Sequence, residues 1–175
     1  MTKLDKADSI QVVQRHKTTG DLPAAMEWMA RFMEVADVDF DSFQEEFDLE
    51  RRGMGANGLQ TVPVFISRKY PQIRTSPEGF SDAAAKLERI EEMLANQEPC
   101  LLPILTELGT LFAPVVEVTD DAIHVLRLAE EDGEQRVQAI ARDELQSMHE
   151  ASLAGRDLLV WGGVDAPPTI RLSLD

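Results

Sequence analysis

Leu22, Met26, Met29 and Met33 recur at i, i+4, i+7 and i+11, with Ala25, Trp28 and Phe32 beside them. An apolar stripe of that period and width predicts a helix over about 21–34 that faces a core. Asp21 stands where a carboxylate can accept hydrogen bonds from the free N–H groups of a first helical turn. Pro23 is tolerated in that turn because its missing donor has no helical partner there. Phe43, Phe47 and Leu49 repeat the helical spacing after Asp39 and Asp41, either of which can cap. Arg51-Arg52-Gly53 then supplies basic residues followed by glycine, a stop signal. Leu59, Val62, Phe65, Ile66 and Tyr70 suggest a further helical stretch closed by Pro71, and 73–80 reads as irregular. Ser81 opens an amphipathic helix with Ala84, Leu87, Ile90, Met93 and Leu94 that ends near Asn96. Ahead of all this, 1–19 is polar, with one short helix predicted around Ile10, Val12 and Val13.

Beyond Glu98 the period changes from helical to alternating. Strands are predicted at 99–105, 112–118, 123–128, 136–140 and 157–161. Turns fall at Thr119-Asp120-Asp121 and Glu130-Glu131-Asp132-Gly133. One helix over 143–152, with Leu145 and Met148 on its apolar side, interrupts them before Gly155. Residues 169–174 read as a last strand or a tail. Helices first and an antiparallel meander afterwards is an α+β layout. The division expected is an N-terminal segment, 1–19, and a single domain, 20–175.

Charge narrows the partners. Lys+Arg number 17 and Asp+Glu 32, a net charge of −15 over 175 residues. Such a surface repels phosphate backbones and anionic lipid, which argues against nucleic acid and leaves a basic or cationic partner open. No apolar run follows Met1-Thr-Lys-Leu-Asp-Lys6, and none approaches the ~20 residues a membrane span needs, so neither a signal peptide nor membrane insertion is expected. With one cysteine no internal disulfide can form, which fits a reducing, cytoplasmic setting.

Candidate chemistry is sparse. Cys100 lies between Pro99 and Leu101-Leu102, where a thiol is a small buried hydrophobe rather than a nucleophile. His124 alternates with Ile123 and Val125 on a strand, and His16 and His149 sit in polar surroundings that suggest solvated side chains. These residues show no metal-ligand spacing, and no cofactor is expected. Gly53-Met-Gly55-Ala-Asn-Gly58 has the letters of a dinucleotide motif, but a helical pattern precedes it where a strand is required.

Two features resemble a family. Asp21-Leu22-Pro23-Ala24-Ala25-Met26 is similar to the Cys-Gly-Pro-Ala-Ala-Leu that opens the first long helix of bacteriocin-processing, double-glycine leader peptidases. These are papain-like domains found at the N-terminus of ABC exporters. The later order is similar too: a helix, the proline-flanked strand Pro99-Cys100-Leu101-Leu102-Pro103-Ile104, a hairpin, a short helix and a closing strand ending in Leu158-Leu159-Val160-Trp161. The resemblance implies a papain-like α+β fold, and residue by residue it implies lost catalysis. The family's cysteine falls on Asp21 and the glycine after it on Leu22. Its histidine falls on Ala113, in Phe112-Ala113-Pro114-Val115-Val116. Gln14 lies near the place of a glutamine that in the family helps form the oxyanion hole. A carboxylate and a methyl group cannot carry thioester chemistry. The resemblance therefore implies a non-catalytic domain that binds a polypeptide for type I secretion, with a groove near Gln14, Leu22 and Phe112. Two other readings compete: a cysteine hydrolase using Cys100 with His124, and an acidic adaptor or inhibitor protein unrelated to peptidases.

Overall fold

The computed structural model describes residues 2–15, 22–54, 66, 68–106, 109–128, 134–151 and 157–162. Helix α1 spans Leu22–Phe32, and α2 spans Phe40–Met54. α1 is buried at every position except Arg31. A helix hemmed in on all sides belongs to the middle of a domain. It stops short of the predicted Glu34, which adopts a left-handed φ of 53°. Asp39 Oδ1 accepts the Asp41 N–H at 3.0 Å, so Asp39 supplies the cap of α2. Gly53 lies inside α2 rather than after it.

The strands are β1 (Thr2–Lys3), β2 (Thr75–Gly79), β3 (Cys100–Thr106), β4 (Gly109–Val118), β5 (Ala122–Arg127), β6 (Arg136–Ala141) and β7 (Asp157–Trp161). They form an antiparallel sheet in the order β2-β7-β3-β4-β5-β6, with β1 paired to β4. β4 is the hinge of the sheet. Its first half pairs with β3, from Thr106↔Gly109 to Leu101↔Pro114. Its second half pairs with β5, across a register shift between Val115 and Glu117. Such a shift bends and twists the strand locally. Ala113, Pro114, Val115 and Val116 are all buried, so both faces of β4 are covered there.

The other helices are α3 (Ala83–Ala95) and α4 (Arg142–Ala151). α1 packs on β4 and α2, α3 on β1, β4 and α4, and α4 on β6. Helices with an antiparallel sheet make the chain α+β, as the pattern predicted. Among the described residues, no helix is long and apolar enough to cross a membrane.

Several expectations change. Residues 73–80 are not irregular: β2 lies there and pairs with β7, Pro77 opposite Leu159. Proline donates no hydrogen bond, so this strand suits only the edge it occupies. The N-terminal segment is not a polar lead with a helix at 10–13. Among its described residues it begins with β1, makes one 3-10 turn at Ala7–Ser9, has no helix over 10–15, and buries Leu4, Ala7 and Val12 in the common core. On α3, Ala84 is exposed and Lys86 takes the fully buried position, because the face turned inward is Ala83, Lys86, Ile90, Met93 and Leu94. His149 is buried rather than solvated. His16, most of the 59–70 stretch, Gly55–Gly58, the Glu130–Gly133 turn, Gly155 and the 169–174 strand lie outside the described residues.

Candidate functional site

Of the positions that the sequence resemblance singles out, Leu22 lies on α1 and Phe112 and Ala113 on β4. Leu22 opens α1 and is buried; Asp21, the position matched to the family's cysteine, lies outside the described residues. Ala113 is buried on β4 opposite Leu102, and Phe112, opposite Pro103, is half-buried. The packing of α1 on β4 brings their elements together.

Gln14 is half-buried in the extended segment before α1. Its neighbours are fixed by Gln44 of α2. Gln44 Nε2 donates to the Val13 carbonyl at 2.8 Å, and Gln44 Oε1 accepts the Arg15 N–H at 3.0 Å. The same Nε2 donates to Glu27 Oε1 at 3.2 Å. Glu27, only 2 % exposed, accepts in turn from Arg31 Nε at 2.9 Å. The Arg31 guanidinium lies 4.3 Å from the Phe40 ring centroid, a cation–π contact. A buried carboxylate thus ties α1, α2 and the Gln14 segment into one unit, with its charge and its hydrogen bonds both answered. The apolar stripe of α1 gave no hint of Glu27 as a core residue. The available signal was the i, i+4 order Glu27–Arg31, acidic residue first.

Farther along the segment, Gln135 clamps it from the other side. Gln135 Oε1 accepts the Val12 N–H at 3.3 Å and Gln135 Nε2 donates to the Ile10 carbonyl at 2.9 Å. The strip carrying Gln14 is therefore held between α2 and the start of β6.

Cys100 and His124 are not brought together. Cys100 begins β3 opposite Val160, and His124 lies on β5 opposite Glu117 and Ala139. β4 runs between their strands, so their backbones are about 10 Å apart or more. Cys100 is fully buried, and burial pushes its thiol up to about 12, although Lys86 and Arg89 pull the other way. A nucleophilic thiol needs the opposite shift. Tyr70 is also pushed up, by burial first and then by its hydrogen bond to Glu46. Among the described residues no cluster of three His, Cys, Asp or Glu side chains could hold a metal ion.

No family model, curated protein or solved structure matches the chain.

Proposed function

We propose that the chain is a papain-like, peptidase-related domain without a catalytic centre, which holds a polypeptide on the cytoplasmic side of an ABC-transporter-linked export system. The observation that carries the reading is the contact of α1 with β4. A long buried helix opening at Leu22-Pro23-Ala24-Ala25 meets the strand that bears Phe112 and Ala113. This is the pair of elements on which such peptidases mount thiol and imidazole, and here the matched residues are Asp21 and Ala113. The Gln44–Glu27 network favours the same reading, because it fixes the Gln14 segment beside the start of α1's partner helix without any reactive group.

The test uses the whole chain with reduced, carboxymethylated α-lactalbumin, an acidic and permanently unfolded polypeptide that does not bind an acidic domain by charge alone. Binding is expected, weakened several-fold by Phe112→Ala, with no cleavage of a double-glycine leader peptide. Asp21→Cys alone should remain inactive because Ala113 supplies no base. Failure to bind the unfolded chain, or a hydrolysis that disappears in Cys100→Ala, overturns the proposal.

A further inference from the structure

A cavity of about 470 Å³ lies between the β5–β6 hairpin and α4, a volume in the range of ligand-holding sites. Ile104, Ile140 and Met148 give it an apolar lining, and neither Phe112 nor Ala113 borders it. The strand register orders its polar groups. Arg127 faces Arg136, Val125 faces Gln138, and Ile123 faces Ile140, so Arg127, Arg136, Gln138 and Ile140 share one side of the hairpin. β6 then runs straight into α4, whose first turn adds Asp143 and Glu144. Along β6 the sequence is therefore cationic end, apolar middle, acidic end.

Two further observations point to an extended occupant. β6 ends the strand order, so among the described residues its outer edge has no strand beside it. Val137, on that strand, is 54 % exposed. An open edge with an exposed apolar residue is a template for another strand. Among the described residues, the charges at both ends are without an ion pair. Arg127 Nη1 donates to Gln138 Oε1 at 2.8 Å, and among the described residues neither Arg127 nor Arg136 has an ion-pair partner. Among the described residues, the Asp143 and Glu144 carboxylates accept local backbone N–H groups alone, at 3.0 and 3.4 Å.

We propose that this edge and cavity dock an extended polypeptide segment that adds a strand to β6. An apolar side chain of the segment fills the space beside Ile104, Ile140 and Met148. A basic residue meets Asp143 and Glu144, and an acidic one meets Arg127 and Arg136. Side chains on one face of a strand recur every second residue. Paired antiparallel, like the rest of the sheet, the segment reads basic-x-apolar-x-acidic. The proposal rests on the polypeptide-holding reading only for the class of partner.

The probe is the labelled peptide acetyl-Ser-Lys-Thr-Leu-Thr-Glu-Ser-amide, titrated into the whole chain by fluorescence anisotropy, with amide NMR shifts to map the contact. Binding is expected, with the shifts concentrated on 136–141. Ser147→Trp, which fills the cavity from α4, and the exposed substitution Glu144→Lys should each weaken it at least tenfold. The fully N-methylated peptide, which keeps the side chains but loses the donors, should not bind. No binding of the parent peptide overturns the proposal, as does unchanged affinity with Ser147→Trp or on N-methylation. If affinity instead falls in Phe112→Ala and ignores Ser147→Trp, this site is wrong and the polypeptide-holding reading stands. If neither the peptide nor unfolded α-lactalbumin binds, both fall.

Discussion

Gln44 Nε2 stands 3.2 Å from Glu27 Oε1 and 2.8 Å from the Val13 carbonyl oxygen, so one amide of α2 holds both the central helix and the segment before it. Neither partner can be spared cheaply. Glu27 is buried, and a buried acceptor that loses its donor keeps the desolvation cost and loses the compensation.

Gln44→Ala should therefore destabilise the protein by about 1–3 kcal/mol, the range for leaving buried polar groups unanswered. Gln44→Glu should be worse, since it places a second carboxylate against Glu27 with no donor between them. Urea unfolding reads both. A midpoint in Gln44→Ala equal to that of the parent would show that the network contributes nothing.

Trp28 is fully buried and stacks on Phe32 with ring centroids 5.3 Å apart. Truncation to alanine removes the largest side chain of α1 from the core. The expected cost of Trp28→Ala is roughly 3–5 kcal/mol. An unchanged melting temperature would contradict the central place of α1.

Gln97 follows α3 with a left-handed φ of 55°, a conformation that favours glycine. Its side chain accounts for the exception. Oε1 accepts the Asp5 N–H at 2.8 Å and Nε2 donates to the Lys3 carbonyl at 2.9 Å, which fastens β1 to the end of α3. Gln97→Ala retains the backbone strain and loses both bonds, so about 1–2 kcal/mol should be lost. Gln97→Gly relieves the strain and should fall less far. In both variants the Leu4 amide, which donates to the Val116 carbonyl, should exchange faster with solvent. Protection at Leu4 equal to the parent's would refute the clamp.

Period was legible in the chain and partnership was not. The stripe of α1 and the alternation of β5 announce themselves, because each element turns a face of fixed spacing to the core. Asp39 was readable because a cap is a local event; the third helix was expected to open on Ser81, whereas its capping carboxylate is Asp82, which accepts the Ala85 N–H at 2.7 Å. β2 was invisible: Thr75-Ser-Pro-Glu-Gly79 has no apolar alternation, and it is held by its pairing with β7 and by the Arg89–Glu78 contacts at 3.0 Å. Glu27 and Lys86 give no sign of burial in the sequence, because charge predicts exposure; for Glu27 the distant Gln44 answers it. The cavity beside α4 joins β3, β5, β6 and α4, and no window of sequence contains such a site.

The last prediction concerns pH and Cys100. Burial raises the thiol from its ordinary 9.0 to about 12 in the folded chain. Between those values the unfolded thiol ionises while the folded one keeps its proton. The unfolded state then binds fewer protons, so stability falls as pH rises through that window and is unaffected by this group below it. The slope from one thiol is at most about 1.4 kcal/mol per pH unit. Cys100→Val removes the titration and keeps the packing close to that of the parent. The difference in unfolding free energy between the two proteins, measured at pH 8 and again at pH 10, isolates the thiol from Tyr70 and every other group they share. The parent should lose ground to the variant over that interval. Small thiol reagents should also label native Cys100 only as fast as the protein opens. A difference independent of pH, together with rapid labelling, would place the thiol in contact with water and refute its burial between β7 and β4.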